Sequence, residues 1–335
     1  ATISGPTQVR VLAKTRWPRT HSTMQSIADG LRVVRDVSAT ANDVIHLTGH
    51  AGLVRIRMSN ARLTQSSDET TPTSKLKPVG EGYMEDFFAA GGVGAILREI
   101  RHLLHLDTID ITGQLLGDRL EPNMEWVDRR VICEFDKPVS DQGGLISLKG
   151  NIAPEGAIFK RAAATTALFE SEGRAIVFNG LEDLAKRVDD PNLDIKADDI
   201  MVLKGAGPIA AGMPEAGYLP IPKKLAQAGV KAMIRISDAR MSGTAFGTIV
   251  LHISPEAGAG GPLAAVRNGD RIRLSVKNKS IELLLSDQEI TNRLSNFTPL
   301  QEHKRGYRAL YEQTVLHAPD GCDFAFLTQS RTPKK

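Results

Sequence analysis

Residues 232–244 read Ala-Met-Ile-Arg-Ile-Ser-Asp-Ala-Arg-Met-Ser-Gly-Thr, and the architecture follows from them. The first five suit a buried strand, and the remainder turns through a glycine-bounded loop carrying a carboxylate, an arginine, a serine and a threonine. Upstream lies Gly212-Met213-Pro214-Glu215-Ala216-Gly217, and downstream lies His252-Ile253-Ser254-Pro255-Glu256-Ala257, again polar groups on short loops between apolar runs. Loops mounted this way on a rigid scaffold let backbone amides and small side chains converge on one ligand.

Working outward, residues 175–178, 200–203, 248–253, 271–276 and 281–285 read as further strands, the last two joined by Lys277-Asn278-Lys279-Ser280 as a hairpin loop. Helical patterns interrupt them at 181–188, at 222–228 with Pro222 near the start and Gly229 beyond the end, and around 307–316. Mixed strands with few helices predict an α/β chain whose second part is a β-rich barrel or sandwich with helical covers. The texture changes near Asp136-Lys137-Pro138, which sets an expected boundary between a domain at 1–138 and one at 139–335.

In the first part, Val93, Ile96, Leu97, Ile100, Leu103 and Leu104 follow helical spacing and predict a helix over 92–106. A Ser/Thr-capped helix is expected over 20–31, and the polar segment 57–78 reads as a surface loop with one short helix. His102 and His105 stand three apart, but no third ligand lies at zinc-site spacing. Lys204-Gly205-Ala206-Gly207-Pro208 imitates a phosphate-cradling loop yet lacks the Gly-Lys-Ser/Thr ending, so it reads as a tight turn leading to Glu215.

Composition narrows the function classes. With 335 residues, 41% of them hydrophobic and 24% charged, the chain can bury a sizeable core. Its net charge of +3 comes from interspersed 42 basic and 39 acidic residues, and only 5% is aromatic, so neither a phosphate-binding stripe nor a base-stacking platform is present and nucleic acid is not an expected partner. The apolar runs fall far short of the ~20 residues a membrane-spanning helix needs. Two distant cysteines, Cys133 and Cys322, and no signal-peptide pattern fit a cytoplasmic protein without a disulfide framework.

A specific resemblance rests on ordered motifs. Gly144-Leu145, Lys149-Gly150-Asn151-Ile152-Ala153-Pro154-Glu155-Gly156-Ala157, Gly212-Met213-Pro214-Glu215 and Ser237 through Thr244 are followed by His252 through Ala257, Gly260-Gly261-Pro262-Leu263, Asn268-Gly269-Asp270-Arg271-Ile272 and Gly321-Cys322-Asp323-Phe324. In that order they resemble the dihydroxy-acid dehydratase and phosphogluconate dehydratase family. The form Asp238-Ala239-Arg240-Met241-Ser242-Gly243-Thr244 is most similar to its sugar-acid, pentonate dehydratase branch. The likeness covers about residues 75–330, with Met84-Glu85-Asp86-Phe87, Ala90-Gly91-Gly92 and Thr112-Gly113 extending it upstream.

The resemblance implies an N-terminal α/β domain holding an iron–sulfur cluster and most magnesium ligands, and a C-terminal swivelling β-barrel domain closing over substrate. It implies a hydro-lyase that removes water from a 2,3-dihydroxy carboxylate such as an aldonate, giving a 2-keto acid, and a homo-oligomer. Glu215 matches the family's magnesium ligand and Ser242 the serine that takes the C2 proton. Thr244 and Arg240 fall where substrate is held. Read as residues alone, Glu215 suits a solvated loop, Ser242-Gly243-Thr244 a plain turn, and Arg240 a surface ion pair equally well.

His21-Ser22-Thr23-Met24 resembles the tail of a cluster-binding segment, yet Thr15 stands where its cysteine is expected. An iron–sulfur cluster takes about four ligands, mostly cysteine thiolates, so the expectation is that this chain binds no cluster, that its magnesium site is incomplete, and that its first domain is truncated. The competing expectation is a catalytically inactive paralogue acting as a carboxylate-binding or oligomerisation domain.

Overall fold

Ile200-Met201-Val202-Leu203 is buried on both of its faces, and the barrel follows from that. Successive side chains of a strand point to opposite sides. Ile200 and Val202 accordingly join one apolar cluster while Met201 and Leu203 join another. Strands covered on both faces read as continuous apolar runs, which is the pattern of 175–178, 200–203 and 249–251.

The computed structural model describes residues 72–77, 79–109, 113–121, 126–212, 217–241, 247–297 and 303–329. Before the barrel, α1 (Met84–Ala89), α2 (Gly92–Glu99) and α3 (Leu116–Arg119) surround a core of Leu76, Phe87, Ile96, Ile100, Leu120 and Ile132. The predicted helix over 92–106 is shorter than its periodicity suggested. It ends at Glu99, and a 3-10 turn, Arg101–Leu103, carries the chain on to Leu104 with extended backbone. The end of the supposed surface loop is also interior: Thr73 and Ser74 have no exposed surface, because Ser74 pairs with Ile132 and the Lys75 amide donates to Val131 O at 2.9 Å. A segment rich in Ser and Thr can be buried when its backbone finds partners. The helix expected over 20–31 lies outside the described residues.

Eight strands then close into a barrel: β1 (Leu145–Gly150), β2 (Ala153–Lys160), β3 (Glu170–Asn179), β4 (Ile200–Lys204), β5 (Ile234–Ser237), β6 (Ile249–Ser254), β7 (Arg271–Ser275) and β8 (Ser280–Leu283). Their order around the barrel is β1-β2-β6-β5-β4-β3-β7-β8, with β8 meeting β1 through Lys149 and Ser280. The expected alternatives, barrel or sandwich, resolve to the barrel. β1 and β2 were not anticipated as strands, because Gly150, Asn151, Pro154 and Gly156 are turn-forming residues that mask the apolar alternation.

The interior holds Ile146, Leu148, Phe159, Val177, Val202, Ile236, Val250, Ile272, Leu274 and Ile281. Outside, α4 (Gly180–Arg187) and the segment around it cover β3 and β4 through Leu184 and Val188. The remaining α-helices among the described residues are α5 (Pro208–Ala211), α6 (Lys223–Gln227), α7 (Asp287–Ser295), α8 (Gly306–Thr314) and α9 (Ala325–Gln329). The predicted helices at 181–188, 222–228 and 307–316 correspond to α4, α6 and α8. β7 is left with a solvent face, so Arg271 and Arg273 alternate with buried Ile272 and Leu274.

Candidate functional site

β3, β4, β5 and β6 run parallel, so their C-terminal ends gather at one end of the barrel. In parallel α/β sheets that is where loops diverge to receive ligands. The segment after β4 turns through Gly205-Ala206-Gly207 into α5 and reaches Gly212; the segment after β5 is Asp238-Ala239-Arg240-Met241; the segment after β6 is Pro255-Glu256-Ala257.

Two buried carboxylates tie these segments together. Asp238 accepts from the amides of Gly205 (3.1 Å), Ala206 (3.0 Å) and Ala257 (2.9 Å). Glu256 accepts from the Ile209 amide at 2.9 Å and the Ala210 amide at 3.1 Å. The loop that resembles a phosphate cradle in sequence is thus filled by the chain's own carboxylates. Gly207 is glycine for that reason: a Cβ there would collide with the Glu256 carboxyl. Lys204, the residue that would face a phosphate, instead donates to Ala264 O (2.9 Å) and Val266 O (2.7 Å), and burial lowers its pKa.

The electrostatics follow from burial. Asp238 is 1% exposed; desolvation pushes its pKa up while its amide donors pull back. Glu256, 2% exposed, is raised to about 7 by desolvation and then by the nearby charge of Asp238. His317 Nδ1 lies 4.0 Å from Glu256 Oε1. Burial, helped by the charge of Arg240, lowers His252 to about 3, so its imidazole is neutral.

Arg240 is 3% exposed, which rules out the surface reading of it. Its guanidinium bonds the Cys322 thiol and lies close enough to Tyr311 and His252 to perturb both. Cys322 is raised to about 11, first by burial, so it is an un-ionised thiol at neutral pH.

Of the four residues expected to form the site, only Arg240 is among the described residues. Glu215 falls within 213–216, and Ser242 and Thr244 within 242–246, all outside them. Their flanks are described, and they adjoin. Gly217, with φ +112, packs so tightly that a Cβ would stand 3.0 Å from Ala239 Cβ and 3.6 Å from Met241 Cε. Arg235 in β5 donates to Leu219 O at 2.7 Å, holding the irregular segment that follows Gly217. Gly217 and Met241, which flank those two stretches, therefore share one patch.

The donors present do not fit an iron–sulfur cluster. Cys133 is a buried free thiol ahead of the barrel, and Cys322 lies in the Arg240 neighbourhood. Among the described residues no group of three or more His, Cys, Asp or Glu could hold a metal ion. His102 is exposed and packs edge-on against Phe135 with ring centroids 4.4 Å apart, an ordinary aromatic contact. Asp238 was legible in the sequence as the carboxylate of the glycine-bounded loop; Glu256 was noted only as part of a motif. The signal that pointed to it was an acid between Pro255 and the small-residue run Ala257-Gly258-Ala259-Gly260-Gly261, where a solvated role leaves the glycines unexplained.

Comparison with known proteins places this geometry. The family model "Dihydroxy-acid/6-phosphogluconate dehydratase C-terminal" matches residues 130–322 and its N-terminal counterpart matches residues 1–119, further upstream than the motifs alone reach. L-arabinonate dehydratase of Rhizobium leguminosarum bv. trifolii is 38% identical over 99% of this chain and 58% of its own length. The 6-deoxy-6-sulfo-D-gluconate dehydratase of Pseudomonas putida is 40% identical over 98% of this chain and 57% of its own length. A dihydroxy-acid dehydratase of Clostridium botulinum is 34% identical over 91% of this chain and 55% of its own length. The chain thus spans a little over half the length of the curated relatives it matches. Barrel, ordered motifs and matched relatives agree: the chain belongs to the dihydroxy-acid/6-phosphogluconate dehydratase family.

Proposed function

We propose that this chain carries the substrate-facing half of a hydro-lyase that converts a 2,3-dihydroxy carboxylate, an aldonate in particular, to a 2-keto acid. The observation that carries this reading is the contact of Gly217 with Ala239 and Met241, which joins the flank of the Glu215 loop to the flank of the Ser242 loop. The higher identity to sugar-acid dehydratases than to the dihydroxy-acid dehydratase supports the aldonate.

In this reading Ser242 takes the proton from C2, hydroxide leaves C3, and the resulting enol tautomerises to the 2-keto acid. A serine hydroxyl serves as a base only where cations or aligned amides stabilise its anion. Thr244 donates to the substrate carboxylate or hydroxyls. Arg240, interior and beside Cys322, holds the substrate or positions the loop that does. Glu215 is the magnesium ligand that the sequence match assigns; the described residues add no further ligands to it and none for a cluster. A first domain at 1–138, a swivelling barrel at 139–335, a cytoplasmic location and a homo-oligomer belong to the same reading. The separate apolar core around Ile96 and Ile132 supports the division near 138.

The test is direct. The purified chain, supplied with iron and magnesium, is incubated with L-arabinonate and the 2-keto acid is measured against a Ser242→Ala variant. Product that vanishes in the variant upholds the proposal; no product from either removes catalysis from this chain. A second reading, a carboxylate-binding domain without catalysis, draws on the two cysteines, which are too few for a cluster. Calorimetric binding of aldonate without turnover favours it.

A further inference from the structure

α8 and the residues that follow it, up to Phe324, are attached differently from the rest of the fold. They close on themselves: Val315 pairs with Phe324, the Leu316 amide donates to Asp323 O at 2.8 Å, and the Phe324 ring meets Tyr311 edge-on with centroids 5.8 Å apart. Among the described residues, none of their side chains enters the three apolar clusters that hold the barrel and the helices before it. What meets the barrel is a polar seam over the segments that follow β4, β5 and β6. Arg308 crosses Gly212, where a Cβ would stand 2.9 Å from its Nε; the Cys322 thiol bonds Arg240; and His317 Nδ1 stands 4.0 Å from Glu256 Oε1, beyond hydrogen-bond reach. The Tyr311 hydroxyl is buried with no hydrogen-bond partner among the described residues, and Cys322 takes φ +49, a left-handed conformation that strains a residue with a Cβ. A seam of this kind is weak, because buried polar groups without partners cost free energy and few buried apolar contacts leave a segment little local stability.

We propose that residues 306–324 are a detachable strap: they close over the segments after β4, β5 and β6 and lift as a unit while the barrel stays folded, opening that end of the barrel to solvent. The strap depends on no assignment of substrate or metal. Its seam is sensitive to protons. With the strap down, burial and the charge of Asp238 hold Glu256 at about 7; with it lifted, the carboxyl meets water and returns towards 4.5. The closed form keeps a proton that the open form releases, so opening increases as pH rises from 4.5 through 7, by up to about 300-fold, the ratio those two values set. Asp238, Tyr311, His317 and Cys322 face Glu256, with Arg240 and Asp320 beside Cys322. His252 belongs to β6, which stays folded, so its imidazole stays neutral over this interval.

The experiment follows amide hydrogen exchange by mass spectrometry on the 335-residue chain at about pH 5 and pH 8, each rate referred to that of unstructured peptide at the same pH. In the native chain, peptides from 306–324 are expected to exchange together, at least about 100-fold faster than peptides from β3 and β4. Their opening is expected to be at least about tenfold greater at the higher pH. Glu256→Gln, which cannot ionise, is expected to flatten that difference. Tyr311→Phe, which removes the buried hydroxyl, is expected to slow exchange across 306–324 about three- to tenfold and leave β3 and β4 unchanged. Exchange across 306–324 as slow as in β3 and β4, or without a common rate, overturns the strap. A pH difference as large in Glu256→Gln as in the native chain overturns the proton dependence of the seam. Should Glu256→Gln speed exchange throughout the barrel, Tyr311→Phe decides: faster exchange across 306–324 in that variant overturns the polar seam as the weak attachment.

Discussion

Acidic side chains at two places in this barrel are satisfied in opposite ways. On the outer face, Glu172 reaches Arg271 and Arg273 across open surface at 3.1 and 3.0 Å. At the strand ends, Asp238 and Glu256 lie in the interior and meet backbone amides, with no lysine or arginine among the hydrogen-bond donors described for them. Exposed ion pairs are screened by water and contribute little. Buried carboxylates that terminate several amide bonds hold the backbone itself in shape, and removing them leaves each amide unsatisfied. The same residue types thus decorate one face and shape the loops at the other.

The largest expected effect breaks the interior side of that contrast. Asp238→Ala strands three amides and should lower stability by ~3–5 kcal/mol, read from urea unfolding. A loss under about 1 kcal/mol would show that the loop reshapes freely and that Asp238 is no anchor.

Next comes pH. Glu256 has its pKa raised in the folded state to about 7, above its ordinary value of 4.5, so the folded chain binds a proton that the unfolded chain gives up. Its contribution is complete below pH 4.5 and is lost as pH rises through 7, by ~3 kcal/mol at most. His252, lowered to about 3, acts in the opposite sense: it contributes above pH 6.5 and loses that as pH falls. Subtracting the stability curve of Glu256→Gln from that of the native chain isolates the first term, which should fall between pH 4.5 and 7 and then level off. A difference that rises over that interval contradicts the assignment. Asp238, His317, Tyr311 and Cys322 face Glu256, and none is altered by the substitution.

Asp199 sharpens the comparison from between the two extremes. It is 4% exposed, receives Arg174 through both oxygens at 3.0 and 2.8 Å, and accepts the Lys196 amide. Asp199→Ala should cost ~2–3 kcal/mol in the same unfolding assay, less than Asp238→Ala because Arg174 keeps Asp194 and partial access to water. At the small end, Glu172→Gln should change stability by less than ~1 kcal/mol and by less still in high salt. A Glu172 effect equal to that of Asp199 would erase the distinction between face and interior.

The sequence by itself determined most of the barrel. Six of its strands are legible because burial on both faces writes continuous apolar runs at 175–178, 200–203 and 249–251, and burial on one face writes the alternation of Arg271, Ile272, Arg273 and Leu274. It also carried the ordered motifs and the glycine-bounded loops of Glu215 and Ser242. Only the tertiary structure decided closure into a barrel, the strand identity of β1 and β2, the interior place of Arg240, and the partners of Glu256. These depend on pairing between residues far apart, such as Lys149 with Ser280 or Ile209 with Glu256. A hydrogen bond across that much chain leaves no periodicity behind, because the acceptor's position is set by how strands pack and not by its neighbours in sequence.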